Sequence, residues 1–159
     1  MEENDNVIPL GGPRPAAAGS LFEAGGAVDS VCVTLALYGE SLDPDRITQA
    51  LGVAPTSAYR KGDARRGAGM PPHRGGGWFI ERVGDAPHTP DSLTRELLAP
   101  LPNIPSATWD QLAAEFDLQM HYALYLYRFN RGFTLSRELS WCLAAIRARV
   151  VFDIYASSS

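Results

Sequence analysis

The feature that most constrains this fold is residues 30–38, where large apolar residues alternate with small or polar ones. The aliphatic side chains all fall on one parity: Val31, Val33, Leu35 and Leu37. A period of two is typical of a β-strand with one buried face. The chain is therefore predicted to contain a sheet with an apolar side, and other elements that cover that side.

Similar patterns predict further strands, and apolar residues at helical spacing separate them. The additional strands are expected at residues 78–83, 119–129 and 150–155. Side chains suited to helix N-caps are Asp43, Thr89, Ser106 and Ser136, and Gly52 can close the first helix. Residues 53–77 have no clear period and are predicted to form a long loop.

The order of elements is β-α-β-(αα)-β-α-β, which indicates an α+β fold. We expect a ferredoxin-like, four-stranded, mostly antiparallel sheet with the helices on one face. A mixed sheet of another strand order is the main alternative. Residues 1–27 are predicted to be a flexible tail, 28–156 a single α+β domain and 157–159 a frayed C-terminus.

Composition argues against several classes of protein. Cys32 and Cys142 are too few for a disulfide framework or a cysteine-based zinc site, and we expect both to be small buried hydrophobes. No apolar run is long enough to span a membrane, and the N-terminus is acidic rather than signal-like. We expect a cytoplasmic protein with no cofactor, no metal and no contact with a membrane.

A basic, glycine-rich stretch is the first candidate site. It contains Arg60, Lys61, Arg65, Arg66, His73 and Arg74. Segment 60–77 carries a net charge of +4 although the whole chain carries −4. This asymmetry favours an anionic partner, such as a phosphate or an acidic protein face. The stretch lacks a phosphate-loop pattern, and a solvated loop that balances an acidic body is the alternative.

The second candidate site is the sheet face turned away from the helices. Strand parity places on it Tyr38, His121, Tyr125, Tyr127, Asp153 and Tyr155. Tyrosine suits protein interfaces because it combines apolar area with a polar tip, so we expect a protein partner or self-association here. The alternatives are a second packed layer, or ordinary half-exposed strand residues. Nucleic acid is disfavoured because the chain has a pI near 5.3 and lacks a basic aromatic signature.

Catalysis has weak support in the residues. His73, His88 and His121 are scattered, without the spacing of a metal site. A pair of His121 and Asp153 on neighbouring strands would be the basis for a hydrolase or transferase. Such a pair is more often structural, and we expect a protein that is not an enzyme.

Several short motifs resemble a known family. They are Leu42 to Thr56, Arg60-Lys61-Gly62-Asp63, Trp78, Gly132 to Ser136, Leu139 and Phe152-Asp153-Ile154-Tyr155. Over about residues 30–156 the chain resembles a widespread bacterial domain of unknown function, family 4279. The resemblance implies a stand-alone cytosolic bacterial protein without an assigned activity, and such proteins are often interpreted as immunity partners of secreted toxins. It supplies no catalytic residues.

These observations predict a non-enzymatic protein-binding module. The more specific expectation is an immunity (antitoxin-like) protein that neutralises a cognate bacterial toxin. The alternative is an anion- or nucleotide-binding sensor that uses the basic glycine-rich loop.

Overall fold

Seven strands and four helices are present in the computed structural model, which describes residues 26–128 and 131–156. The strands are β1 (Gly26–Ala27), β2 (Ser30–Gly39), β3 (Ser57–Tyr59), β4 (Gly76–Asp85), β5 (Asp117–Leu126), β6 (Arg131–Gly132) and β7 (Arg149–Ala156). The helices are α1 (Pro44–Leu51), α2 (Pro90–Leu98), α3 (Ser106–Glu115) and α4 (Arg137–Ala145). The predicted α+β class is confirmed.

The main sheet has the strand order β3-β4-β2-β5-β7. β2 lies at its centre and pairs antiparallel with β4 and β5 along its length. β3 extends the sheet antiparallel to β4, and β7 pairs parallel with β5. The sheet is thus mostly antiparallel, as predicted.

Two parts of the predicted topology are wrong. The sheet has five strands rather than four, because the three residues of β3 lie in the segment predicted to be a loop. Such a short strand has no readable period and is specified by its pairing with β4. The two pairs of strands predicted to flank a helix, β2 with β4 and β5 with β7, are also direct neighbours, whereas a ferredoxin-like sheet inserts another strand within each pair.

The hydrophobic core lies on one side of the sheet, as the parity of β2 predicts. The four aliphatic residues of β2 are fully buried, and the same side carries Trp78, Ile80, Leu118, Met120, Tyr122 and Leu124. The helices contribute Ile47, Leu51, Leu93, Leu97, Trp109, Leu112, Leu139 and Leu143. Burial of these side chains removes apolar surface from water and is the main stabilising term.

The helix layer does not extend fully over β7. Phe152 and Ile154 have the core-side parity but are exposed, and Cys142 on α4 is exposed rather than buried as predicted. Leu139 and Leu143 are the residues of α4 in the core, so only a narrow stripe of this helix packs inward. The sequence predicts a wider buried stripe because Leu139, Cys142, Leu143 and Ile146 are all apolar and recur at helical spacing.

Three of the four predicted N-caps are confirmed. Asp43 accepts a hydrogen bond from the Asp45 N–H at 3.2 Å, and Ser136 accepts one from Leu139 at 3.2 Å. Thr89 forms a capping box with Ser92. Ser106 is instead the first residue of α3, which follows Pro105 and has no side-chain cap.

The predicted ends of the domain fall partly outside the described residues. Residues 1–25 of the predicted tail and all of 157–159 lie outside them. Gly26 and Ala27, which the prediction assigned to the tail, form β1 and pair parallel with β6.

Asp91 links the starts of α2 and α4. Its carboxylate accepts hydrogen bonds from the Ser136 N–H at 2.8 Å and from Arg95 Nε at 2.9 Å. Partial burial raises the pKa of Asp91, but the bonds from Ser136 and Arg95 outweigh it and place the pKa below its ordinary value. The ionised carboxylate therefore stabilises the fold above the pKa of the unfolded chain, and this contribution is lost as pH falls through the lower folded value.

Replacing Asp91 by alanine is expected to lower the free energy of unfolding by about 1–2 kcal/mol at pH 7. Asp110→Ala is the matched control, since it removes only an exposed ion pair with Arg147 and should cost less than about 0.5 kcal/mol. Urea unfolding at pH 7 and at pH 3 measures both. The loss of unfolding free energy caused by Asp91→Ala should be smaller at pH 3 than at pH 7. An equal loss at both pH values would show that the charge of Asp91 does not contribute to stability.

Candidate functional site

The sheet face opposite the helices carries the side chains that parity predicted for it. Tyr38, His121, Tyr125, Asp153 and Tyr155 all have the parity opposite to the buried core row. They are half-buried or exposed, which distinguishes them from that row. Tyr127 follows the end of β5, and its side chain is also exposed. We call this surface the open face.

The tyrosines of the open face form two groups rather than one. Tyr125 and Tyr155 are neighbours on β5 and β7, and their rings stack with centroids 5.0 Å apart. Tyr38 lies at the other end, because Tyr125 pairs with Ser30 at the start of β2. Eight residues of extended strand, about 26 Å, separate these positions. A partner must be large to contact both groups.

His121 and Asp153 lie between these groups and contact each other. His121 Nε2 is 2.7 Å from Asp153 Oδ2, which confirms that neighbouring strands bring the pair together. Cys32 lies on the same face, opposite Ala123. Burial raises the pKa of the Cys32 thiol, so it stays protonated and is a poor nucleophile. The pair orients an imidazole but has no activated nucleophile beside it among the described residues.

The basic stretch folds back on itself and is tied to the sheet. Gly62 donates its N–H to the His73 carbonyl at 2.8 Å, and His73 donates to the Asp63 carbonyl at 2.9 Å. The imidazole of His73 stacks on the ring of Tyr59 with centroids 3.6 Å apart. Gly62 has a φ of 91°, which favours glycine at this turn.

The basic residues of this stretch divide into two sets. Arg60 bonds Asp45 at 2.6 Å and Asp43 at 3.3 Å, and Lys61 bonds Glu40 at 2.7 Å. These two cations are thus paired within the chain and hold the loop to the start of α1. Arg65, Arg66 and Arg74 are the other set, and they form no ion pair with any residue in the described part of the chain.

A cleft of about 570 Å³ lies between this loop and the ends of β2 and β4. Its walls are formed by Tyr38, Gly39, Glu40, Tyr59, Arg65, His73, Arg74, Gly75 and Gly76. A second depression of about 520 Å³ shares Tyr59, Arg65 and His73 with it, and adds Arg66 and Phe79. The stacked Tyr59 and His73 rings therefore line both depressions, and each depression is also lined by arginines.

Two glycines allow the floor of the cleft to form. A Cβ on Gly75 would lie 2.7 Å from the Gly39 carbonyl oxygen, and one on Gly76 would collide with that of Leu42. The two chain segments can approach this closely only because these positions lack a side chain. This is the structural role of the glycine run that precedes the second predicted strand.

The cleft and the open face form one continuous surface. Tyr38 belongs to both, and its ring packs edge-on against Phe79 with centroids 5.2 Å apart. The ring centroids of Tyr59 and Phe79 are 5.6 Å apart. The rings of Tyr38, Tyr59 and Phe79 therefore line the junction between the cleft and the open face. Tyr59 was not predicted from the sequence because β3 was expected to be a loop. Phe79 was also missed, although the parity of the strand around Trp78 places that residue on the open face.

No helix in residues 26–128 and 131–156 combines the length and the apolar character that a membrane crossing needs. The same residues contain no group of three or more His, Cys, Asp or Glu side chains that would hold a metal ion.

Comparison with known proteins gives a family and nothing more specific. No curated protein and no solved structure matches the chain. A family model described as a domain of unknown function, DUF4279, matches residues 29–157, which include every described element from β2 to β7. The predicted resemblance is confirmed, and the chain belongs to the DUF4279 family.

Proposed function

We propose that this protein is a non-enzymatic binding domain that captures a partner protein on the open face and the adjoining arginine-lined cleft. The observation that carries the proposal is the continuity of two unlike surfaces. The exposed tyrosines of the sheet adjoin a cleft region with three arginines, Arg65, Arg66 and Arg74. These arginines form no ion pair among the described residues.

The chemistry of the surface defines the partner. Tyrosine rings provide apolar contact area, and arginines provide planar, charged donors that match carboxylates. The strand positions of Tyr38 and Tyr125 require a contact that extends over most of the sheet, which is the dimension of a protein interface. The partner is therefore a folded protein with acidic side chains opposite the cleft and an apolar patch opposite Tyr125 and Tyr155.

In its specific form, the proposal is an immunity protein that neutralises a cognate bacterial toxin in the cytoplasm. A domain that blocks an enzyme needs a broad, pre-formed surface and no catalytic group of its own. The raised pKa of Cys32 and the paired, surface position of His121 agree with such a role.

The test uses the full chain as bait for soluble proteins from its native host. A variant with Tyr125→Ser and Tyr155→Ser changes the open face only, and Arg137→Glu on α4 is a control on the helix side. The proposal predicts a protein retained by the wild type and by the control but lost by the tyrosine variant. Equal retention by all three chains would exclude the open face as the binding surface.

A second function, an anion- or nucleotide-binding sensor, is favoured by one feature of the cleft. The stacked rings of Tyr59 and His73 lie beside Arg65 and Arg74, so a planar base and a phosphate would each find a matching group. In this form of the proposal the ligand is a mononucleotide.

Thermal unfolding of the full chain distinguishes the sensor from the protein-binding domain. A mononucleotide at millimolar concentration should raise Tm by a few degrees, and about threefold less in an Arg65→Ser, Arg74→Ser variant. Inorganic phosphate alone should have a smaller effect, because it leaves the aromatic wall empty. No change in Tm with nucleotide would exclude the sensor and leave the protein-binding proposal untouched.

A further inference from the structure

The two edges of the main sheet differ in length and in protection. One edge is β3, which has three residues, and very short edge strands resist pairing with other chains. The other edge is β7, which has eight residues, and no described residue pairs with its outer side. Its backbone N–H and C=O groups on that side are free to pair with another strand.

β7 also exposes an apolar row on the helix side of the sheet. Val150, Phe152 and Ile154 are 37, 40 and 60% exposed, whereas the corresponding rows of β2 and β5 are almost fully buried. Phe133 lies against Phe152 with ring centroids 5.3 Å apart and is itself exposed. A contiguous apolar patch beside an unpaired strand edge is typical of an interaction site.

We propose that β7 pairs antiparallel with β7 of a second copy of this chain, with the two-fold axis at Val151. This contact is distinct from the open face, since it uses the edge of the sheet. The two-fold arrangement would place Arg149 directly opposite Asp153 of the second copy, and Val150 opposite its Phe152. Opposite charges and apolar side chains are thereby matched twice in one short interface.

The charges select this register. A two-fold axis at Asp153 would set two carboxylates directly opposite each other, which is unfavourable. Arg149 already bonds Asp117 and Asp153 already bonds His121, but Arg149 and Asp153 each remain more than half exposed. Each can therefore accept a second partner across the interface. The assembly closes as a dimer because the pairing uses the β7 edge, which is the one long free edge among the described residues of each copy.

The test is sedimentation velocity on the full chain over a wide range of concentration. The wild type is expected to show a dimer, and Arg149→Asp or Asp153→Arg alone should weaken it about tenfold or more, because each variant opposes like charges twice. Arg137→Asp on α4 has the same charge change as Arg149→Asp, is the control, and should leave dissociation unchanged.

Mixing the two single variants provides the decisive result. One chain then carries aspartate at both positions, 149 and 153, and the other carries arginine at both, so the heterodimer regains two opposite-charge pairs. The mixture should form dimers at concentrations where each variant alone is monomeric, and the doubly substituted chain should dimerise like the wild type. A monomeric wild type at every concentration, or a dimer indifferent to these charges, would overturn the proposal.

Discussion

Replacing Trp78 by alanine is expected to lower the free energy of unfolding by about 3–5 kcal/mol, the range for large aromatic side chains in cores. Trp78 has no exposed surface and lies on β4 between Leu37 of β2 and Ala58 of β3. Its indole Nε1 donates a hydrogen bond to Thr48 Oγ1 at 3.0 Å and so ties α1 to the sheet. The substitution would leave a cavity and would also leave Thr48 Oγ1 without its hydrogen-bond donor.

Two variants separate the causes of this loss. Trp78→Phe removes the hydrogen bond but keeps most of the volume, and should cost about 1–2 kcal/mol. Val83→Ala on the same strand has the open-face parity, is 62% exposed, and should cost less than about 0.5 kcal/mol. Urea unfolding followed by circular dichroism measures all three. A loss below about 1.5 kcal/mol for Trp78→Ala would contradict its place at the centre of the core.

Reversing the charges of Arg65 and Arg66 to glutamate is expected to weaken binding of the protein partner about 100-fold, or about 2.7 kcal/mol. These arginines have no acidic partner among the described residues, so acidic groups of the bound protein are the expected counter-charges. The loss should appear mainly in the association rate and should diminish at high salt, since exposed charges steer encounter.

The matched control is a reversal of Arg82 and Arg137, two arginines on the helix side of the sheet. It changes the net charge equally but leaves the cleft intact. Surface plasmon resonance with the captured partner, at low and high salt, compares the two variants. An equal loss of affinity in both would attribute the effect to net charge rather than to the cleft.

Much of the fold could be predicted because local signals and burial agree. The alternation around Leu35 defined the central strand and its buried side, and the Asp43 cap with Gly52 defined α1. The order of the strands could not be predicted, since pairing depends on contacts distant in sequence. β3 was missed because three residues contain too little pattern, and the extent of α4's buried stripe depends on where the sheet ends.

The candidate sites likewise contain features that the sequence predicts and features that depend on the three-dimensional structure. Parity placed His121 and Asp153 on one face, and the structure brings them into contact. Parity could not show that Tyr38 and Tyr125 lie at opposite ends, because that follows from the antiparallel register of β2 and β5. The pairing of Arg60 and Lys61 with acidic residues near α1 was equally invisible, since it requires the loop's path in space.

Hydroxyl-radical footprinting of the tyrosines in the full chain, free and bound to its captured partner, tests the central claim most directly. In the free protein Tyr38, Tyr125 and Tyr155 should oxidise readily while Tyr122, which is fully buried, stays protected. Binding should protect the three reactive tyrosines together. Protection of them in the free protein, or unchanged reactivity in the complex, would contradict a partner-binding open face.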